Sequence, residues 1–153
     1  MLGQPNPPAG NDMNQTVILL AEDDANDVFL FRRAVQKAGL ASKVVDVPDG
    51  REAVQYLSGE PPYANRALFP VPDLLLLDLK MPLMDGFDVL GWKKTRPELA
   101  DLPAIVLSSS TIEADIKRAQ SLGALDYLIK PSDTANLLRL VQELHERWLA
   151  REK

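Results

Sequence analysis

Oxygen-bearing side chains and a single lysine follow four short apolar segments of this sequence. The acidic run EDD begins at Glu22 after TVILLA, and Asp78 follows four consecutive leucines. Ser108 opens a run of serines after AIVL, and Lys130 follows LDYLI. Carboxylate oxygens are ligands that Mg²⁺ prefers, and an aspartate can form an acyl phosphate. Lysine and serine can hold phosphoryl oxygens. These residue types together predict a metal-assisted phosphoryl-transfer site.

Asp78 is the residue of this set that most needs a partner. A continuous apolar run such as LLLL is typical of a strand covered on both faces, so a carboxylate at its end is partly desolvated. The predicted partners are a cation held by the acids after the first strand and the ammonium of Lys130. In the alternative, Asp78 only caps the following helix. That role fits Asp85 better, because the predicted helix begins there.

The elements that position these residues alternate between strand and helix. The predicted strands are Thr16–Ala21, Lys43–Val47, Leu74–Leu77, Ala104–Leu107 and Leu125–Ile129. The predicted helices are one between a cap at Asp24 and a stop at Gly39, then Asp49–Gly59, Asp85–Arg96, Thr111–Leu122 and Asp133–Arg151. This alternation predicts an α/β fold with a parallel sheet covered by helices on both faces. Ligands bind beyond the carboxyl ends of such strands, where the residues above converge.

Length and composition favour one globular domain over 16–153 of this 153-residue chain. Residues 1–15 are rich in Pro, Gly and Asn and predict a disordered leader. Residues 58–72 hold four prolines and form an insert before the third strand. The formal net charge of −5 disfavours nonspecific nucleic-acid binding. The apolar runs are too short to span a membrane, and no signal peptide is present, so the expected location is cytoplasmic.

Four motifs in order, ILLAEDD, LLLLDLKMPLMDG, LPAIVLSSS and YLIKP, resemble the receiver domain of two-component response regulators, the CheY-like family. The resemblance covers nearly the whole chain from about residue 16. It implies a doubly wound (βα)5 fold of the flavodoxin-like type, with strand order 2-1-3-4-5. It also implies a single-domain regulator that accepts a phosphoryl group from a sensor histidine kinase and passes the signal to an unknown downstream protein.

The resemblance assigns a metal site and a phosphorylation site. It makes Asp78 the phosphorylated residue and Mg²⁺ the cofactor. Glu22 and Asp23 become metal-binding acids beside Asp78, and Lys80 contributes its backbone carbonyl to the metal. Asp24 is left as a helix cap, because Asp27 stands three residues later in the first turn.

The resemblance further assigns the switch. Ser108 takes the place of the family's switch Thr or Ser, Tyr127 the aromatic switch position, and Lys130 the site lysine. Pro131 follows a peptide bond that is often cis in the family. The local alternatives are a strand-end serine for Ser108 and half-buried packing for Tyr127.

Some details resemble the small regulators paired with cyanobacterial and bacterial phytochromes. They are NDVFLFRRA, the insert YANRALFPVPD, KMPLMDG and LSSS. This likeness suggests a phytochrome-type kinase and a homodimer through the face of helix four, strand five and helix five. Trp148 and Leu149 support the dimer, because they are expected to extend the apolar stripe of the last helix past the part that the core needs as cover. In the alternative, Trp148 folds back onto the sheet and Leu149 is merely exposed. His145 is expected at the surface.

Three other functions are disfavoured by particular residues. A haloacid-dehalogenase-type phosphatase requires a second Asp two positions after the nucleophile, where this chain has Lys80. A flavodoxin-like cofactor binder requires a phosphate loop after the first strand, where EDD would repel phosphate. A receiver that has lost phosphorylation would lack site residues that are all present here. The chain is therefore expected to catalyse only its own phosphoryl acceptance and hydrolysis, not the turnover of small substrates.

Overall fold

A computed structural model of the chain describes residues 15–150. Its centre is a five-stranded parallel sheet in the order β2-β1-β3-β4-β5, as predicted. The strands are β1 (Thr16–Ala21), β2 (Ser42–Val47), β3 (Leu74–Leu77), β4 (Ala104–Ser108) and β5 (Asp126–Ile129). Apart from residue 15, the predicted leader lies outside the described residues. Within the described range, no helix is long and apolar enough to cross a membrane.

Five α-helices connect and follow the strands. They are α1 (Ala25–Lys37), α2 (Gly50–Ser58), α3 (Gly86–Lys94), α4 (Glu113–Ser121) and α5 (Thr134–Leu144). Aspartate side chains accept backbone N–H groups at the start of four of them, namely Asp24, Asp49, Asp85 and Asp133. The third helix ends at Lys94, before the predicted Arg96, and a short 3₁₀ turn, Pro97–Leu99, follows it. The fourth helix is also shorter than predicted, and its first turn has no side-chain cap.

The four leucines of β3 explain how the sheet is buried. Leu75 and Leu77 belong to the core beneath α2, α3 and α4, while Leu74 and Leu76 belong to the core beneath α1 and α5. All four are fully buried because β3 lies at the centre of the sheet with helices on both faces. Burying each such side chain stabilises the fold by about 1.5–3 kcal/mol. The most buried strand therefore ends at Asp78.

The proline-rich insert packs onto α2 through aromatic rings. Tyr63 and Phe69 contact Tyr56 with ring centroids 5.1 and 6.1 Å away. Arg66 stacks over the Tyr56 ring and donates to the carbonyl oxygens of Leu57 and Phe69. Tyr56 is fully buried. The insert therefore completes the cover of α2 together with the sheet.

The end of α5 differs from the prediction. The chain widens into a π-helical turn over His145–Leu149. Residues five apart share a face in such a turn, so Leu149 follows Leu144 into the core and is only 3% exposed. Trp148 packs half-buried against the same core. The expectation of a solvent-facing stripe was wrong. The alternative is confirmed for Trp148, which folds back, but it was wrong for Leu149, which is buried and not exposed. His145 is half-buried rather than on the surface.

Leu149→Ala is expected to lower the free energy of unfolding by about 2 kcal/mol or more, because it leaves a cavity in the α1–α5 core. Chemical denaturation followed by circular dichroism measures the change. The matched control is Leu68→Ala, since Leu68 is 61% exposed, and its effect should stay within about 0.5 kcal/mol. Equal, small effects of both substitutions would contradict the packing of Leu149.

Candidate phosphoryl-transfer site

The site forms where the carboxyl ends of the strands meet. Ala21 pairs with Leu77, so Glu22 and Asp78 leave adjacent strands side by side. The ladder continues past them, because Asp78 N–H donates to the Ala21 carbonyl at 3.0 Å. On the other side of β4, Lys130 N–H donates to the Ser108 carbonyl at 2.9 Å. Strand register therefore brings residues that are far apart in sequence to one edge of the sheet.

The ammonium of Lys130 lies among three carboxylates. Its Nζ is 2.7 Å from Glu22, 2.9 Å from Asp27 and 3.1 Å from Asp78. The side chains of Glu22 and Asp78 are 4% and 9% exposed. Two nearly buried carboxylates this close repel each other unless a cation lies between them. Lys130 supplies that cation, as predicted for Asp78, but Asp27 was not predicted to take part.

Burial and neighbouring charge shift the acidity of two groups. Burial raises the pKa of Glu22 to about 7, and the negative charge of Asp78 acts in the same direction. The hydrogen bond from Lys130 lowers this pKa and offsets part of the rise. For Lys130, burial works to lower the pKa, but its hydrogen bonds to Glu22 and Asp27 and the charge of Asp78 hold it above the ordinary value. Lys130 therefore stays charged in the physiological range.

A divalent cation fits the acidic part of the site. Ligand oxygens of Glu22, Asp23 and Asp78 all lie within 4.8 Å of one another. Asp23 is exposed while the other two are buried, so one side of the cluster is open to water. Mg²⁺ suits this set, since it prefers oxygen ligands and keeps several waters. Lys80 lies in the adjacent loop with its side chain exposed, and the role of its carbonyl stays a prediction.

Two glycines hold the loop between β3 and α3 against Asp78. A Cβ at Gly86 would overlap the Asp78 carbonyl, and one at Gly50 would overlap the Met84 carbonyl. Instead, Gly50 N–H donates to that carbonyl at 2.9 Å. The start of α2 therefore fixes the loop that carries Lys80. Only a residue without a side chain allows these approaches.

The predicted switch residues are joined through Ser110. Ser108 is 1% exposed, and its Oγ accepts the Ser110 N–H at 3.2 Å. Ser110 Oγ bonds to Asp115 of α4 at 2.7 Å, and the Tyr127 hydroxyl donates to the Ser110 carbonyl at 2.9 Å. Ser110 was not singled out from the sequence, because no local pattern reveals hydrogen bonds between distant segments. Tyr127 is half-buried and packs against the core, so its packing role and this bond coexist.

The peptide bond before Pro131 differs from the family expectation. Over residues 15–150 the cis bond is the one joining Pro61 and Pro62. The bond between Lys130 and Pro131 is trans, so the predicted cis bond was wrong for this chain. Lys130 nevertheless reaches its three carboxylates from this backbone.

Comparison with known proteins finds one matching family and several similar proteins. Residues 18–142 match the family described as the response regulator receiver domain. The chain is 37% identical over 133 residues to the probable methanogenesis regulatory protein FilR2 of Methanothrix harundinacea, covering 87% of this chain and 83% of that protein. It is 33% identical over 133 residues to response regulator Rcp1 of Synechocystis, covering 87% and 88%.

Solved structures give the same result. The phosphorylated cyanobacterial phytochrome response regulator RcpA has a TM-score of 0.82 and 37% identity, with 91% of this chain and 97% of that one covered. The Mn²⁺-bound form of Rcp1 has a TM-score of 0.79 and 32% identity, with 90% and 97% covered. The (βα)5 fold and the acidic strand ends agree with these matches. The chain belongs to the response regulator receiver domain family and is a response regulator of two-component phosphorelay signalling.

Proposed function

We propose that Asp78 is the residue that accepts the phosphoryl group. The observation that carries this proposal is the position of its carboxylate, which is nearly buried, 3.1 Å from the Lys130 ammonium and within 4.8 Å of two further acids. A carboxylate in this setting can attack phosphorus only where the charge of the incoming group is neutralised. Lys130 and a metal ion held by the neighbouring acids supply that neutralisation.

The chemistry follows from these groups. An Asp78 oxygen attacks the phosphorus of a phosphohistidine on the kinase, the new O–P bond forms, and the N–P bond breaks with the electron pair returning to the imidazole. Glu22, Asp23 and Asp78 would hold Mg²⁺, which when bound would offset negative charge on the phosphoryl oxygens during the transfer. The Lys130 ammonium and the Ser108 hydroxyl donate to phosphoryl oxygens. Ser108 would then turn from Ser110, to whose N–H it is bonded here at 3.2 Å.

Asp78→Asn is expected to abolish phosphoryl uptake and leave the fold intact, because the amide is nearly isosteric but is not a nucleophile. The measurement is intact mass after incubation with acetyl phosphate and Mg²⁺. Asp85→Asn is the control, since Asp85 caps α3 and lies in the same loop region. The control should gain one phosphoryl group. Uptake by the Asp78→Asn protein at the unaltered rate would rule out Asp78 as the acceptor.

The proposed activity is limited to this chain's own acyl phosphate. Hydrolysis of small phosphate esters by an aspartate nucleophile needs a second acid two positions later, and Lys80 stands there. Lys80 lies exposed at that position and cannot deliver a proton as a carboxylic acid would. Phosphoryl acceptance and hydrolysis of the chain's own acyl phosphate are the reactions that the side chains support.

The proposed cofactor is Mg²⁺, bound by Glu22, Asp23 and Asp78, with the Lys80 carbonyl as a fourth protein ligand. The oxygen donors and their spacing support it. The Mn²⁺-bound form of Rcp1 supports a divalent cation in a protein of the same family.

Binding of Mg²⁺ is expected to weaken about tenfold between pH 8 and pH 6, because a proton on Glu22 competes with the cation. The sign follows from the pKa of Glu22, which burial raises to about 7, so the group is ionised above that pH and protonated below it. Isothermal titration calorimetry measures the affinity at each pH. Glu22→Gln should bind Mg²⁺ more weakly and lose most of the pH dependence. An unaltered pH dependence in that variant would contradict the role of Glu22.

The proposed phosphodonor is a sensor histidine kinase of the phytochrome type. Its support is the likeness to RcpA, which is named as a cyanobacterial phytochrome response regulator. The proposed readout is a downstream protein or a second copy of the chain. Phosphorylation adds negative charge beside Ser108, whose hydrogen-bonded neighbours reach α4 and Tyr127. A change at Asp78 can therefore alter the face formed by α4, β5 and α5.

A homodimer through that face is also proposed, on grounds different from the buried Trp148 and Leu149. The edge strand β5 and its surroundings expose apolar side chains, with Ile112 59%, Leu125 60% and Ile129 42% exposed. Exposed apolar side chains on an edge strand favour association. A symmetric two-fold contact is the commonest form.

Replacing Leu125 and Ile129 together by Glu is expected to shift the protein from dimer to monomer, because it puts charge at the centre of the contact. Sedimentation equilibrium at high micromolar concentration, with and without acetyl phosphate, measures the mass. Leu68→Glu is the control, since Leu68 is 61% exposed on the insert, and it should stay dimeric. A monomer in every condition, or a dimer that survives the double substitution, would contradict the proposal.

A further inference from the structure

The first turn of α1 contributes a carboxylate that the proposed mechanism does not use. Asp27 Oδ2 accepts a hydrogen bond from Lys130 Nζ at 2.9 Å, across 103 positions of sequence. The N-terminal turn itself is satisfied by Asp24, whose Oδ1 accepts the N–H groups of Asn26 and Asp27. A local helix role therefore accounts for Asp24 but does not account for the direction of the Asp27 side chain.

Asp27 differs from the other two partners of Lys130 in one respect. Glu22 and Asp78 belong to the cluster whose oxygens could share a metal ion, and Asp27 does not. A cation bound by that cluster would be coordinated by Glu22 and Asp78, the same two carboxylates that Lys130 contacts at 2.7 and 3.1 Å. It would also repel the ammonium, since like charges a few ångströms apart are unfavourable in a partly buried site. The contact with Asp27 is the one that metal binding leaves in place.

We propose that Asp27 is a positioning residue that draws the Lys130 ammonium away from the metal ligands and so favours binding of the divalent cation. The inference rests on the proposed metal site. Without the Asp27 carboxylate, Lys130 has only Glu22 and Asp78 as ionic partners among the described residues. It would then neutralise those two acids and compete with the cation for them.

The burial of the group separates this contact from an ordinary surface ion pair. The Lys130 side chain is 17% exposed and that of Asp27 is 37% exposed. Exposed pairs contribute little because water and salt screen them. Here Lys130 contacts all three carboxylates from the end of β5. Removing one carboxylate should therefore change the strength of the contacts between the ammonium and the other two.

The test is a double-mutant cycle on Mg²⁺ affinity, measured by calorimetry on the unphosphorylated protein. Asp27→Asn should weaken Mg²⁺ binding several-fold, on the order of three- to tenfold. Asp24→Asn is the matched control, because it removes the same charge from the same turn, keeps a good cap and does not touch Lys130. It should change the affinity by less than about twofold.

Lys130→Met completes the cycle. It should strengthen Mg²⁺ binding by removing the competitor, and in that background Asp27→Asn should have no more effect than Asp24→Asn. As a second readout, phosphoryl uptake from acetyl phosphate should be slow in the Asp27→Asn protein at low Mg²⁺ and recover at saturating Mg²⁺. A merely structural defect would not recover in this way.

Equal effects of the two Asn substitutions, or an Asp27→Asn effect that persists without Lys130, would overturn the inference while the proposed function stands. Failure of the proposed function has a different signature, namely no phosphoryl uptake by the unaltered protein even at saturating Mg²⁺. Absence of Mg²⁺ binding to the unaltered protein would overturn both.

Discussion

Repulsion between two nearly buried carboxylates is the constraint on which the site depends. Glu22 and Asp78 leave adjacent strands of the sheet, and the backbone ladder between β1 and β3 fixes their separation. Both side chains are nearly buried, so their repulsion is relieved by a positive charge between them or by a proton on Glu22. Lys130 provides the positive charge here, and under the proposed function a metal ion and a phosphoryl group would each redistribute it.

The fold supplies this constraint through the most buried strand. Four leucines pack β3 into both cores and leave no room for the strand to shift. Asp78 follows directly, and the loop after it is held by close backbone approaches at Gly50 and Gly86. Under the proposed function, rigidity at these points would let a change of charge at Asp78 act on Ser108 and its hydrogen-bonded neighbours.

Prediction from sequence succeeded where a local pattern of residues is compatible with only one kind of structural element. Apolar runs bounded by polar residues predicted the strands to within one residue, and Glu22, Asp78 and Lys130 at the strand ends lie together as expected. The roles assigned to these residues stay predictions. The sequence did not reveal what depends on a local change of helix period: Leu149 is buried because the last helix widens into a π-helical turn. Asp27 is explained locally as an acid in the first turn of α1, so its hydrogen bond to Lys130 was not predicted.

The most direct test of the central claim locates the phosphoryl group chemically. The protein is incubated with acetyl phosphate and Mg²⁺, treated with borohydride, which reduces an aspartyl phosphate to homoserine, and mapped by peptide mass spectrometry. The account predicts homoserine at position 78 only, and none when the metal is removed by chelation. Homoserine at Asp23 or another acid, or none at position 78 with Mg²⁺ present, would contradict the claim that Asp78 is the acceptor.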